Sequence, residues 1–297
     1  MVNKAQWHHL FIDGRSVLVQ SFYKDPEGRN SGFLGMIELI VSCMKEFSPK
    51  CVTVFWGDGI SQKRKQILKS YSHRRAESRT PHEQEQLQSQ IALAQKILSV
   101  CPIRQISVRG VEAPDAIAYT AKTLQKTKLI VANSKEYFQL LREDVQIFNP
   151  EKQLLISEHE ASILLGFPVK HFLLWKCIVG DSSKGVKGIP GIGKVKAKRL
   201  IQNVMISRRK FSLRPNEQAF LDRNKFLFSL GALLEKDEKQ KILELFQSER
   251  RKNRNSKEFS KILSSFGVEE LIQPILYYHS KNNNKLTSKF SGGVTLQ

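Results

Sequence analysis

Six carboxylates stand where predicted strands end or predicted helices begin: Asp13, Asp58, Glu112, Asp115, Glu136 and Asp181. Oxygen ligands without nearby Cys or His partners suit Mg²⁺ or Mn²⁺. Two such ions about 4 Å apart would stabilise the attacking and leaving oxygens of a phosphodiester displacement. Each carboxylate alone also has a structural interpretation, as a turn residue, a helix N-cap or a partner of the helix dipole. Together they predict a metal-assisted catalytic site.

A glycine-rich stretch follows Asp181 and leads into a helix rich in lysine. Its glycines, Gly188, Gly191 and Gly193, let the backbone turn tightly and present N–H groups to a phosphate. The N-terminus of the helix adds partial positive charge, and its lysines supply mobile cations. The sequence therefore predicts that this stretch binds a nucleic-acid backbone, with these lysines in contact with it: Lys194, Lys196 and Lys198.

A second basic stretch runs from Gln62 to Arg79 around one aromatic residue, Tyr71. Basic side chains neutralise phosphates, and an aromatic ring can stack on an unpaired base. The alternative is an ordinary solvated helix and loop. We predict that this stretch grips one strand of a nucleic acid through Lys63, Arg64, Lys69, Tyr71, Arg74 and Arg75.

The overall charge also favours a polyanionic partner. The 297 residues include 48 Lys and Arg against 28 Asp and Glu, a net charge of +20. No segment approaches the roughly 20 apolar residues that span a bilayer, so we expect no membrane partner. The four cysteines are scattered and predict neither a disulfide framework nor a CxxC zinc site. A reducing cytoplasm fits this cysteine usage best.

Short apolar runs alternate with amphipathic segments in the first half of the chain, which predicts an α/β fold. The expected strands are His9–Ile12, Cys51–Phe55, Arg104–Val108 and Lys128–Ala132, with a small hairpin over 145–156. Such a sheet is mostly parallel, has helices on both faces, and carries its sites at the carboxyl ends of its strands. The six carboxylates should therefore meet in one crevice. From Ser157 onward the pattern is helical.

The chain resembles the 5′→3′ exonuclease and flap endonuclease family, especially its phage and bacterial members. The similarity covers about 200 residues, in the order of the family's motifs. The most specific pieces are Arg109 to Asp115 and Gly180 to Gly193. The weaker ones are Phe11 to Gly14, Trp56 to Asp58, Tyr71 with Arg74 and Arg75, Ala132 to Leu141, and the remainder of 180–200.

The resemblance implies a PIN-like α/β nuclease domain over 1–156, with a helical arch at about 62–95. It also implies a helical DNA-binding subdomain over 157–279, with a helix-hairpin-helix at about 180–202 and a K⁺ site there. We expect 280–297 to form a disordered tail. The implied activity is hydrolysis of phosphodiesters by metal-activated water at 5′ ends, 5′ flaps or RNA primers. We expect a monomer in the cytoplasm of a bacterial or phage-infected cell.

The chain departs from the family pattern at three of nine carboxylate positions, which are occupied by Pro114, Ser134 and Lys184. Ser72 also replaces an arch lysine. One metal site, implied at Asp13, Asp58, Glu112 and Asp115, keeps most of its ligands. The second, implied at the positions of Ser134, Glu136, Asp181 and Lys184, keeps two carboxylates and gains an ammonium, which repels a dication by several kcal/mol at about 5 Å.

Three functions stay open from the sequence. The first is a metal-dependent nuclease with one well-held ion, in which all six carboxylates are catalytic and Lys184 or Lys135 supplies charge. The second is a weak or inactive family member that binds branched DNA or 5′ ends. The third, a protein of anionic membrane surfaces, would need an amphipathic basic helix, and no clear one is found.

Overall fold

A six-stranded sheet forms the centre of the computed structural model, with the strand order β3-β2-β1-β4-β5-β6. The structure describes residues 7–24, 31–71, 80–101, 103–207, 213–248, 260–261, 264–265, 271 and 274–275. The strands are β1 His9–Asp13, β2 Cys51–Gly57, β3 Arg104–Val108, β4 Lys128–Val131, β5 Val145–Asn149 and β6 Leu154–Ile156. The first five are parallel, and β6 pairs antiparallel with β5. The carboxyl ends of five strands therefore meet at one edge.

Helices cover both faces of this sheet. Their bounds are α1 Gly14–Lys24, α2 Ser31–Phe47, α3 Gln62–Ile67, α4 Pro81–Ser99, α5 Ala113–Thr123 and α10 Lys236–Ser248. Successive residues of β1 point to opposite faces. Leu10 and Ile12 join one apolar cluster with α1, α2 and α4, whereas Phe11 joins another with α5 and α10. The α/β fold with a mostly parallel sheet between helices is thus confirmed.

Helix α4 begins with a proline, since Pro81 is its first helical residue. Proline fits this position because its missing N–H would have no partner within the helix. Thr80 and Glu83 close the N-terminus with a reciprocal capping box.

The second half of the chain is mainly helical. It contains α6 Glu158–Leu165, α7 Phe172–Val179, α8 Lys194–Ser207 and α9 Pro215–Phe228. A short hairpin, β7 Gly180–Asp181 with β8 Val186–Lys187, joins α7 to α8. Short 3₁₀ helices run over Lys135–Leu140, Val169–His171 and Ser182–Lys184. The range 180–202 contains this hairpin and the first part of α8, while α7 lies before it, and the helix-hairpin-helix predicted there stays a prediction.

The division of the chain at residue 156 stays a prediction. Helix α10 lies beyond that point and packs against β3 and α5. The expected tail over 280–297 and part of the expected arch, residues 72–79, lie outside the described residues. Among the helices that the structure describes, none is singly long and apolar enough to cross a membrane. One pair of the described helices, Glu158–Leu165 and Val169–Val179, bent by 65°, meets the length and composition requirement together.

Candidate active site

Asp13 lies at the carboxyl end of β1 and is 6% exposed. Its Oδ1 accepts a hydrogen bond from the Ser16 backbone N–H at 3.1 Å, and its Oδ2 accepts one from the Tyr137 hydroxyl at 2.7 Å. Burial, reinforced by the nearby negative charge of Asp13, raises the pKa of Tyr137 well above its usual range. Tyr137 therefore stays protonated and fixes the orientation of the Asp13 carboxylate.

Glu112 is the N-cap residue of α5, but its side chain points away from that helix's own N–H groups. Its Oε1 accepts the backbone N–H of Ser61 at 2.9 Å, and its Oε2 lies 3.4 Å from the Tyr71 hydroxyl. Burial raises the pKa of Tyr71 to about 12, so this phenol also stays protonated. Two separate segments, at Ser61 and Tyr71, thus position one carboxylate.

A cavity of about 540 Å³ opens between these carboxylates. Its walls include these residues: Asp13, Arg15, Tyr71, Glu112, Glu136 and Lys184. Pro114 and Ser134, which stand where the family pattern expects carboxylates, also contribute to the wall. Exposed Gln84, Glu85 and Gln88 of α4 close one side. The predicted crevice therefore exists at the carboxyl edge of the sheet, and Asp13, Glu112 and Glu136 meet there.

Asp58 follows the end of β2 and is exposed. Its Oδ2 accepts the backbone N–H of Gly110 at 3.0 Å, and its own N–H donates to the Val111 carbonyl at 3.1 Å. Asp58 therefore lies beside the segment that leads to Glu112, but it is exposed and is not among the residues that line the cavity.

Asp115 is not arranged as a metal ligand, contrary to the prediction. It is 4% exposed, and both of its oxygens bind Arg64, at 2.5 Å and 2.9 Å. Its Oδ1 also accepts the backbone N–H of Gly231 at 2.7 Å. A carboxylate held by a buried bidentate guanidinium is already neutralised. Glu112 and Asp115 are three residues apart, but the Asp115 carboxylate faces the protein interior and not the cavity.

Arg64 is likewise an interior residue and not a phosphate contact. It is 2% exposed, its Nε donates to the Leu227 carbonyl at 2.9 Å, and its Nη1 lies 3.4 Å from Oε2 of Glu112. Burial acts to lower the pKa of Arg64, but Asp115 and Glu112 outweigh it and raise that pKa. The guanidinium is thus a permanent cation that links Asp115 to the margin of the cavity.

Glu136 and Lys184 form a second internal pair, with Nζ 2.5 Å from Oε2. Lys184 is 9% exposed. Burial acts to lower its pKa, but the attraction of Glu136 outweighs that effect and raises it. The ammonium therefore stays charged inside the cavity wall, at a position where the family pattern has a carboxylate.

Asp181 forms a third pair, with Lys176 at 2.7 Å. Its other oxygen accepts the Ser183 backbone N–H at 2.9 Å and the Ser183 hydroxyl at 2.6 Å, which caps the 3₁₀ helix Ser182–Lys184. Burial acts to raise the pKa of Asp181, but the hydrogen bonds from Lys176 and Ser183 lower it to about 2. The N-cap interpretation of Asp181 therefore describes its contacts.

The other predicted contacts of the Gln62–Arg79 stretch have four different outcomes. Tyr71 is 1% exposed, so its ring is not available for base stacking, and that prediction is wrong for this structure. Lys63 binds Glu235 at 3.1 Å and Glu238 at 2.6 Å, so it is engaged within the protein. Lys69 is exposed, and its contact with nucleic acid stays a prediction. Arg74 and Arg75 lie outside the described residues.

In the glycine-rich stretch and the lysine-rich helix that follows it, most of the residues predicted to contact nucleic acid are exposed or face open space. Gly191 has a φ of +76°, the left-handed region that favours glycine, and both Gly191 and Gly193 face open space. Lys194 and Lys196 are exposed on the first turn of α8. Gly188 packs directly on the Ile178 and Val179 backbone, which explains its lack of a side chain without any phosphate. Lys198 is half-buried, with its ammonium over Gly166.

Sequence reasoning missed two residues that shape the site. Tyr137 follows Glu136 directly, but nothing in its neighbourhood signals a contact with Asp13, 124 positions away. Lys176 lies on α7, five residues before Asp181. This spacing alone does not reveal that the two side chains form a pair. The Tyr137–Asp13 contact is tertiary, whereas the Lys176–Asp181 pair is local but depends on the turn after α7.

Comparison with known proteins agrees with this architecture. The sequence profile of the 5′-3′ exonuclease N-terminal, resolvase-like domain matches residues 8–164. The chain is 27% identical over 196 residues to a 5′-3′ exonuclease of Buchnera aphidicola subsp. Schizaphis graminum, with coverage of 62% of this chain and 66% of that protein. For a 5′-3′ exonuclease of Aquifex aeolicus the identity is 26% over 191 residues, with coverage of 61% and 64%. The chain thus spans slightly less than two thirds of these relatives.

Solved structures share the fold. The bacteriophage T5 5′-exonuclease with bound zinc superposes with a TM-score of 0.70 at 19% identity, covering 82% of this chain and 99% of that one. Flap endonuclease-1 from Methanococcus jannaschii gives 0.59 at 14% identity, covering 94% of both chains. These PIN-like folds confirm the predicted fold class. With the family profile matching more than half of its residues, the chain belongs to the 5′-3′ exonuclease family.

Proposed function

We propose that this chain is a structure-selective 5′→3′ exonuclease and 5′-flap endonuclease that works with one firmly held divalent ion. The observation that carries this proposal is the distribution of charge around the cavity. Asp115, Glu136 and Asp181 each bind a lysine or arginine at 2.7 Å or less. Asp13 and Glu112 line the cavity and accept hydrogen bonds from Tyr137 and Ser61, and the Arg64 guanidinium lies 3.4 Å from Glu112. These two carboxylates therefore present negative charge to the cavity.

The donor set at that place fits Mg²⁺ or Mn²⁺. Mg²⁺ commonly binds one or two carboxylates, keeps several waters and takes further oxygens from a substrate phosphate. Asp13 and Glu112 would hold the ion, with the exposed Asp58 beside them. When bound, such an ion supplies charge stabilisation at the phosphate and lowers the pKa of water. Tyr137 and Ser61 keep the two carboxylates in place through the hydrogen bonds described above.

Lys184 takes over part of the role of a second ion in this proposal. Its ammonium lies in the cavity wall beside Glu136 and carries a fixed positive charge. A dication bound next to it would be repelled by several kcal/mol at an effective dielectric near 20. Lys184 instead offers one positive charge to a phosphate oxygen. Arg15, on the first turn of α1, lines the same cavity and adds a second cationic group.

The substrate would be DNA with a 5′ end, a 5′ flap or an RNA primer, in replication or repair. Lys194 and Lys196 stand at the exposed N-terminus of α8, where backbone N–H groups and the helix dipole favour a phosphate. The open turn at Gly191 and Gly193 would hold the duplex backbone, with a K⁺ ion as in the helix-hairpin-helix interpretation. Contacts with phosphates do not distinguish one base from another, so the chain would recognise DNA by its shape and charge. We propose a cytoplasmic monomer.

The paired carboxylates also favour a second candidate, a DNA-binding protein with weak or no cleavage. Three internal cations at a nuclease site reduce both its affinity for metal ions and the number of metal ions that it can hold. In this alternative the basic surfaces persist and recognise branched DNA or 5′ ends without hydrolysis.

One experiment separates the two candidates. A 5′-flap oligonucleotide is incubated with the chain over a range of Mg²⁺ and Mn²⁺ concentrations, and binding is measured separately in Ca²⁺. For a nuclease, Asp13→Asn lowers cleavage by roughly 100-fold while flap affinity is kept. The matched control Glu151→Gln, at an exposed carboxylate of the β5–β6 hairpin, leaves both unchanged. Binding without cleavage at every metal concentration establishes the second candidate.

A further inference from the structure

His8, His9 and Cys51 form a cluster at the end of the sheet opposite the carboxylates. One potential ligand atom from each residue lies within 4.8 Å of the other two. His9 is the first residue of β1 and pairs in register with Cys51, the first residue of β2. We propose that these three side chains form a Zn²⁺ site that links the start of β1 to the start of β2.

The convergence of the two histidines is unusual for consecutive residues. Neighbouring residues of a strand point to opposite faces. His8 lies just before β1, however, and its ring centroid is only 4.5 Å from that of His9. The backbone N–H groups of both residues donate to the Thr127 carbonyl, at 3.2 Å and 3.0 Å, and the His8 N–H also reaches the Thr127 hydroxyl at 3.0 Å. The bend that turns the two imidazoles together is thus held by the backbone.

The partner cysteine is equally well fixed. The Cys51 N–H donates to the His8 carbonyl at 2.9 Å, and the preceding residue, Lys50, donates to the Trp7 carbonyl at 3.3 Å. Cys51 is half-exposed, whereas Cys43, Cys101 and Cys177 are buried. Burial raises the pKa of Cys43 and of Cys177 to about 12, so those thiols stay protonated. Of the four cysteines, Cys51 is the one placed to supply a thiolate.

Two imidazoles and one thiolate are a donor set for zinc rather than for magnesium. Ligand atoms around tetrahedral zinc stand about 3.3–3.8 Å apart, so small side-chain rotations would close the cluster. His8 and Cys51 are half-exposed, which gives an ion access from solvent and leaves the fourth position to water. His9 is 4% exposed, and its ring packs 5.7 Å from Phe246, an apolar wall behind the site.

Two nearby cations do not prevent zinc from binding at this cluster. Lys128, which pairs in register with His9, binds Asp144. Arg104 donates to the Thr53 hydroxyl at 3.0 Å, and its guanidinium stacks 4.0 Å from the Phe246 ring. Each cation is thus directed to its own partner. Because β1 has five residues, the proposed site lies about 13 Å along the strand from Asp13. It is therefore independent of the proposed catalytic ion.

The test uses the metal-free full chain and Co²⁺ as a spectroscopic probe for Zn²⁺. We expect one tightly bound Co²⁺ with a thiolate-to-cobalt charge-transfer band, displaced by one equivalent of Zn²⁺. Cys51→Ser should abolish the band, and His8→Gln should weaken binding by at least about tenfold, since loss of a ligand costs no less than loss of an outer-shell partner. His159→Gln, at an exposed histidine on α6, and Asp13→Asn should leave the band unchanged.

Two results would overturn the proposal. One is the absence of a charge-transfer band in the unaltered chain at stoichiometric Co²⁺. The other is a band that persists in Cys51→Ser. Circular dichroism of each variant at the working temperature shows that it is folded, and the isosteric Ser replacement keeps the size of the side chain. Zinc should also raise the Tm of the unaltered chain and not that of Cys51→Ser, because a ligand that binds the folded state stabilises it.

Discussion

The ammonium of Lys184 lies 2.5 Å from a carboxylate oxygen of Glu136, inside the wall of the cavity that Asp13 and Glu112 also line. The two residues are 48 positions apart in the chain. Both side chains are largely buried, at 11% and 13% exposure. Removal of one partner from a buried pair leaves the other charge without compensation.

We therefore expect Lys184→Met to lower the free energy of unfolding by about 3 kcal/mol. Urea unfolding at neutral pH measures this. The double variant with Glu136→Gln should recover a large part of the loss, because neither charge then remains alone. Additive losses in the two single variants would contradict the pairing.

Lys184→Asp tests the proposal of one ion directly. This change restores a carboxylate and removes the ammonium, so a second dication should bind more readily. Cleavage of a 5′-flap substrate should then depend more steeply on Mn²⁺ concentration than in the unaltered chain. The control is Lys187→Asp, at an exposed position on β8 close by in sequence. An unchanged metal dependence in Lys184→Asp would count against the role given to Lys184.

Asp115 should behave as a structural residue. Asp115→Asn leaves the buried Arg64 guanidinium without its bidentate partner, so we expect the free energy of unfolding to fall by about 3–5 kcal/mol. The Mg²⁺ concentration at half-maximal cleavage should stay within about twofold of the original below the unfolding temperature. Asp13→Asn should show the opposite pattern, with a large loss of cleavage. A large shift in the Mg²⁺ midpoint of Asp115→Asn would restore Asp115 as a ligand.

Asp181 contributes stability that depends on pH. Its pKa in the folded chain is lowered from 3.8 to about 2, so its contribution is complete above about pH 4 and disappears as the pH falls through 2. The free-energy difference between the unaltered chain and Asp181→Asn should therefore shrink as the pH is lowered from 5 to 3. After allowance for partial solvent screening, we expect about 1–2 kcal/mol in total. Urea titrations at several pH values measure it, and a constant difference would refute the assignment.

Lys194 and Lys196 should determine how DNA binding depends on salt. Each phosphate contact contributes about 0.9 to the slope of log K against log salt. The double replacement by Ala should therefore reduce the slope by up to about 2, with little change between DNA sequences. Lys45→Ala, at an exposed lysine of α2, is the control. A slope unchanged in the double variant would show that α8 does not contact DNA.

The sequence predicts the sheet and its carboxylates well, because both follow from local pattern and from the geometry of parallel strands. Asp13 and Glu112 meet since their strands end at the same edge. The burial of Arg64 was not predictable in this way. Arg64 lies between two lysines in the sequence, and contacts with Asp115, 51 residues away, and Leu227, 163 residues away, hold it inside the protein. The surroundings of Tyr71 are equally non-local, which explains the wrong prediction of base stacking.

The Leu227 carbonyl and the Gly231 N–H that hold the Arg64–Asp115 pair both come from beyond residue 164, where the family profile ends. A fragment cut at that residue would lose both hydrogen bonds and expose the apolar surface that Phe246 covers. We therefore expect that the part of the chain matched by the family profile does not fold well alone, because the C-terminal half completes the margin of the cavity.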